Sequence, residues 1–151
     1  MAPTKGRIKA ISISKDRGTR KDNVPAAELK IGFGIVGDAH AGNWHRQVSL
    51  LGQESIEKIR AKGAKVSAGD FAENITTEGI DLQSLAIGSK LRLGSVSEVE
   101  ITQSGKECHS GCAIYQQVGD CIMPREGVFT KVIKSGRIKP GDSIEVIKPN
   151  D

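Results

Sequence analysis

The fold class this sequence predicts is mainly β, a mixed, closed or nearly closed β-barrel with a few short helices. Three observations predict it. Short runs of β-branched or alternating apolar residues recur along the chain, 18 glycines are available to turn between them, and one segment alone has firm helical periodicity. Taken in order, residues 7–14 form the first strand through Ile8, Ile11 and Ile13. Its alternation slips after Ala10, as a bulge would require. Residues 46–51 (Arg-Gln-Val-Ser-Leu-Leu) read as a second strand. Residues 53–62 are the helix: Ile56 and Ile59 are three apart, acids lead, bases follow and Gly63 ends it. Residues 71–77 and 96–102 read as strands, the latter alternating through Val99 and Ile101, and 128–133 and 143–147 supply two more. Residues 112–118 suggest a short helix. One local pattern occurs twice: at 88–93 and 141–146 a turn glycine precedes an alternating apolar pair, the start of a strand with one buried face.

Composition narrows the function classes. A chain of 151 residues is most simply one domain, long enough to bury a core without a disulfide framework. Aromatics are only 3%, which argues against a stacking platform for single-stranded nucleic acid. The net charge of +4 suits an anionic ligand, but the lysines and arginines are scattered as on an ordinary solvated surface. Neither a nucleic-acid partner nor a membrane is expected. Residues 1–10 lack the apolar core of a signal peptide, and no window has the apolar length of a span. Three cysteines with no secretory context imply reduced thiols and a cytoplasmic location.

The chemistry concentrates at Gln103-Ser104-Gly105-Lys106-Glu107-Cys108-His109-Ser110-Gly111-Cys112. Thiolate is the nucleophilic and metal-binding form of cysteine, and the cations Lys106 and His109 favour it at Cys108. Cys108 and Cys112 have a spacing that zinc sites use, yet no second close pair accompanies them and Cys121 stands alone. Burial as an inert thiol is the plain alternative, stronger for Cys121, next to Ile122 and Met123, than for Cys108 in its polar setting. Gly105-Lys106 is not a phosphate loop, because Glu100 and Glu107 occupy the positions of its first glycine and its hydroxyl residue. Asp38 and His40 stand two apart in Gly37-Asp38-Ala39-His40-Ala41-Gly42, a spacing that reads as an Asx-type turn with a solvent histidine. Asn74 is unusual inside a strand and implies either a hydrogen-bonding task or an edge or bulge position. Arg125 is suited to fork onto a phosphate, or to pair with Glu126.

In their order, Gly-Asp-Ala-His-Ala-Gly, Arg-Gln-Val-Ser-Leu-Leu, Gly-Asp-Phe-Ala-Glu-Asn-Ile-Thr-Thr-Glu-Gly-Ile-Asp-Leu and Ile-Gly-Ser-Lys-Leu-Arg-Leu-Gly resemble the MOSC domain. This is the carboxy-terminal domain of molybdenum-cofactor sulfurases, also found as a stand-alone bacterial protein. Glu-Ile-Thr-Gln-Ser-Gly-Lys-Glu-Cys-His and Gly-Asp-Cys-Ile-Met-Pro-Arg-Glu-Gly-Val-Phe look like the stand-alone branch. The resemblance spans a core of about residues 6–147. It implies a strand-rich barrel, a role in carrying sulfur as a cysteine persulfide, and binding of the molybdenum–pterin cofactor.

The family cysteine, a molybdenum ligand in relatives that hold the cofactor, falls on Cys108. Asn74 falls in the family's Phe-x-x-Asn-Ile segment and is implied as a contact to the pterin or its phosphate. Lys106 and Arg125 would suit that phosphate, and Cys112 or Cys121 would extend the site to two or three thiols. The sulfurases' pyridoxal-phosphate domain has no counterpart in this sequence. The expectation is therefore no covalent pyridoxal phosphate here, and sulfur or cofactor arriving from a separate cysteine desulfurase or other donor. Molybdenum-cofactor biosynthesis or acceptor enzymes are the implied further partners. Two other classes stay open: a molybdenum-dependent reductase of N-hydroxylated compounds using external electron donors, and a zinc-stabilised structural or interaction module.

Overall fold

The computed structural model describes residues 4–15, 21–63, 65–71, 73–104 and 127–148. In chain order the elements are β1 (Lys5–Ile13), β2 (Asp22–Val24), β3 (Ala27–Lys30), β4 (Gly34–Ile35), β5 (Val48–Gly52), α1 (Gln53–Arg60), β6 (Ile75–Glu78), β7 (Lys90–Leu93), β8 (Ser97–Ser104), β9 (Val128–Lys134), β10 (Gly136–Ile138) and β11 (Ser143–Lys148).

Seven strands pair in the order β11-β7-β8-β9-β5-β6-β1, and β1 pairs back onto β11, closing the barrel. Closure leaves these strands no free edge. Only β5 and β6 pair in parallel among the described strands, with Leu50 opposite Ile75, and α1 lies in their connection. β2 extends the far end of β1, and β10, β3 and β4 form a second small sheet.

Alternation explains the barrel interior. Along β8, Ser97, Val99 and Ile101 are buried while Glu98, Glu100 and Thr102 are partly exposed. Ile8, Ile11, Leu50, Ile75, Leu91, Leu93, Val99, Val128 and Ile144 belong to one core cluster. Each fully buried side chain of this size stabilises the fold by about 1.5–3 kcal/mol. α1 buries Ile56 and Ile59, with Glu54 in its first turn and Lys58 and Arg60 in its last, the charge order its dipole favours.

The β1 slip is real: its pairing with β6 shifts register between Ile8 and Ala10. Several boundaries differ from the sequence reading. The helix stops at Arg60, and Ala61–Gly63 is a turn with Gly63 at φ 99°. β5 begins at Val48, because the Gln47 side chain rather than a strand carbonyl accepts the Val132 amide, at 2.9 Å. The strand expected over 71–77 begins at Ile75. Before it the backbone turns, with Gly69 at φ 96° and the Glu73 and Asn74 side chains bonded to main-chain groups. Local bonds of that kind compete with a sheet ladder. The helix expected at 112–118 lies outside the described residues.

Candidate functional site

Polar residues are buried in quantity where β1, β5 and β6 meet the loops at 36–46 and 67–74. Asn74, fully buried, ties three segments together. Its Oδ1 accepts the Ser49 amide at 3.0 Å, its Nδ2 donates to the Ser12 carbonyl at 3.1 Å, and its amide donates to the Ser49 carbonyl. The Ser12 amide in turn donates to the Asn74 carbonyl at 2.7 Å. The hydrogen-bonding task implied by its sequence position is therefore a clamp between β1 and β5 at the mouth of β6.

Next to it, Glu73 is closed off from water. Burial pushes its carboxyl up from the ordinary value of 4.5. The amides of Gly69, Phe71 and Glu73 itself and the Thr76 hydroxyl oppose that shift without overcoming it. Thr76 Oγ1 donates to Oε2 at 2.8 Å and the Phe71 amide to Oε1 at 3.2 Å.

The 36–46 loop is organised by Asp38. Lys21 Nζ donates to Asp38 Oδ1 at 2.7 Å, and both side chains are fully buried. The Ser14 amide donates to the same oxygen, and the His40 amide to Oδ2 at 3.0 Å. Burial pushes the Asp38 carboxyl up, but the His40 ring, Lys21 and the Ser14 amide outweigh it and hold the group well below the usual carboxylate range. The Asx-type turn expected here is present. The solvent histidine is not: His40's side chain is only 14% exposed, because its ring lies parallel to Trp44 with centroids 6.3 Å apart. Trp44 Nε1 donates back to the His40 carbonyl at 2.7 Å.

This loop continues to the end of β8. His45 Nε2 and Arg46 Nε both reach Gln103 Oε1 at 3.0 Å. Thr102 Oγ1 donates to the His45 carbonyl, and the Arg46 guanidinium lies over the Phe129 ring at 5.1 Å. Held at Nε and stacked from one side, Arg46 presents a planar fork that makes no ion pair with a described residue. Its neighbour Gln103 is one residue from Ser104, where β8 ends.

Of the residues expected at a site, Asn74 alone lies within the described structure. Cys108, Lys106, His109, Cys112, Cys121 and Arg125 lie outside the described residues. No group of three or more metal-ligating side chains occurs among the described residues. Sequence reasoning missed Lys21, Glu73, Trp44, His45, Arg46 and Gln103. The Trp44-His45-Arg46 run was a readable signal, whereas Lys21 sits in a charged stretch and carries none. A separate cleft of about 270 Å³ opens between α1 and residues 79–83, lined by Gly52, Glu54, Lys58, Ile80 and Leu82 among others.

The model of the MOSC domain matches residues 37–145, from the Asp38 loop to β11. The chain belongs to the MOSC domain family. MOSC domains are associated with the molybdenum cofactor, and the closed barrel agrees with the fold expected of one. The chain is similar to the crystal structure of the YuaD protein from Bacillus subtilis, with TM-score 0.77 and 20% identity over 94% of this chain and 95% of that one. It is also similar to YiiM from Geobacillus stearothermophilus (TM-score 0.70, 19% identity, 95% of this chain and 75% of that one). YiiM from Escherichia coli gives TM-score 0.69 and 17% identity over 99% of this chain and 72% of that one. At these identities the likeness is one of fold. No curated protein matches the chain. Among the described residues no helix is long and apolar enough to cross a membrane.

Proposed function

We propose that this MOSC domain handles the molybdenum–pterin cofactor and its sulfur through Cys108. The observation that carries this reading is the family match together with the chain position of Cys108. It stands four residues beyond Ser104, the last residue of β8, a reach of at most about 14 Å. At that strand end Gln103 already fixes the two basic side chains His45 and Arg46.

Among the described residues, Arg46 supplies a charge that such a group would need. Arg46, whose fork makes no ion pair with a described residue, would hold the cofactor's phosphate, joined by Lys106 and Arg125. Bound there, the cofactor would supply a thiophilic metal centre, for which a cysteine thiolate is the suitable ligand. Cys112 and Cys121 are the further thiols available to it.

Sulfur carriage is the chain's own chemistry. The Cys108 thiolate attacks the outer sulfur of a donor persulfide, the donor's S–S bond breaks, and the donor leaves as a thiolate. Lys106 and His109 hold Cys108 in the anionic form. The donor is a separate protein of the cysteine desulfurase kind, and the acceptor is an enzyme of cofactor maturation or use. Intact-mass measurement after incubation with a desulfurase and cysteine tests this step. One added sulfur on the wild type and none on Cys108→Ser is expected. Equal loading of both proteins would remove Cys108 from the assignment.

A further inference from the structure

Asp38 and His40 form an acid–base arrangement to which the sulfur step proposed at Cys108 gives no role. His40 is fixed from three directions: its amide bonds to Asp38, its carbonyl accepts the Trp44 indole hydrogen, and its ring lies within 1° of parallel to Trp44. Nδ1 is buried, has no hydrogen-bond partner among the described residues, and stands 3.7 Å from Asp38 Oδ2. Asp38 cannot swing away, because Lys21 Nζ and the Ser14 amide hold its other oxygen. A buried ring nitrogen facing a fixed carboxylate is the one that carries the hydrogen. The other nitrogen, Nε2, then carries the lone pair, and it makes no bond to a described residue.

We propose that His40 is a positioned proton acceptor, whose Nε2 takes the proton of a thiol brought against the 36–46 loop. The S–H bond breaks with its electron pair left on sulfur, an N–H bond forms at Nε2, and Asp38 Oδ2 faces the resulting imidazolium at Nδ1. A carboxylate that orients an imidazole and stabilises its cation is a recurring catalytic device. Thiols are the class assigned because their acidity in water, about 8.5, lies nearer to the imidazole value of about 6.5 than that of a phenol or an ammonium, about 10. The facing Asp38 carboxylate offsets the remaining difference by stabilising the imidazolium. The residues involved are distinct from Cys108, so the inference stands whether or not the cofactor reading does.

The test uses the full chain, with long-range ¹H–¹⁵N NMR to read the imidazole tautomers and diethyl pyrocarbonate as the chemical probe. In the wild type, neutral His40 is expected as the Nδ1–H tautomer and is carbethoxylated at Nε2. Asp38→Asn should move the tautomer towards Nε2–H and slow labelling of His40 at least fivefold. His45, which is bonded through Nε2 to Gln103, serves as the internal reference. Because Asp38→Asn leaves Lys21 buried without its anion, the double variant Lys21→Met/Asp38→Asn is read in parallel. An Nε2–H tautomer in the wild type, or unchanged labelling of His40 in both variants, would overturn the proposal.

Discussion

Asp38 and Glu73 are two carboxyls shut away from water in adjoining loops, and they titrate in opposite directions. Asp38 is held well below the usual carboxylate range, while Glu73 is pushed up. Lys21 touches both loops: its ammonium bonds Asp38, and its amide donates to the Gly69 carbonyl at 2.9 Å. The difference is the His40 ring together with a cation, both on the Asp38 side. Asp38 has the Lys21 ammonium at 2.7 Å, whereas the groups opposing the shift at Glu73 are amides and one hydroxyl. An opposite charge at about 4 Å is worth about 4 kcal/mol at an effective dielectric of 20, against about 1 kcal/mol net for a neutral hydrogen bond. One loop is therefore built to keep an anion charged beside a histidine. The other uses a carboxyl, pushed up by burial, to bond the turn that sets Asn74 and β6 in place.

The largest test of this contrast is Lys21→Met, which strands the Asp38 charge and should cost about 3–5 kcal/mol in urea unfolding. Lys21→Met/Asp38→Leu should recover part of that, since an apolar pair can replace a buried ion pair, while the Ser14 and His40 amides lose their acceptor. A double variant no more stable than the single one would break the account of the pair.

Asn74→Ala, which orphans the Ser49 amide and the Ser12 carbonyl, should cost about 1–3 kcal/mol. Denaturant unfolding that leaves its midpoint unchanged would show that the clamp is dispensable.

Acid and alkali separate the two carboxyls further. Glu73 has a raised folded value, so the folded state binds the extra proton. Wild-type stability relative to Glu73→Gln should therefore fall as pH rises above 4.5, its ordinary value, by at most about 1.4 kcal/mol per pH unit. Asp38 has a lowered folded value, so its contribution is complete above 3.8, its ordinary value, and is lost as pH falls below that point. The margin of wild type over Lys21→Met/Asp38→Leu should shrink in that acid range alone. Parallel pH profiles for the two comparisons would contradict the contrast.

The sequence told the barrel better than the site. Strands β1, β8 and β9 announce themselves through alternating branched residues, and even the β1 bulge is visible as a slip in that alternation. β2, β3, β4 and β10 do not, because strands of two to four residues carry few positions to show a period. β7, equally short, was readable through the turn glycine Gly88 before its alternating pair. Asn74 stood out for its residue type, and its physical reason, three segments tied by one amide, is tertiary. Lys21 was illegible because nothing in a run of charges marks which one will be buried. His40 read as a solvent residue because the partner that covers it, Trp44, acts through ring geometry rather than spacing.

The measurement that bears most directly on the proposed function is cofactor retention. Purified protein is incubated anaerobically with released molybdenum cofactor, passed through gel filtration, and analysed for co-eluting molybdenum and pterin beside Cys108→Ser and Arg46→Ala. Near-stoichiometric retention by the wild type, lost in Cys108→Ser and weakened about tenfold or more in Arg46→Ala, is the predicted result. A folded wild type that retains neither molybdenum nor pterin would contradict it.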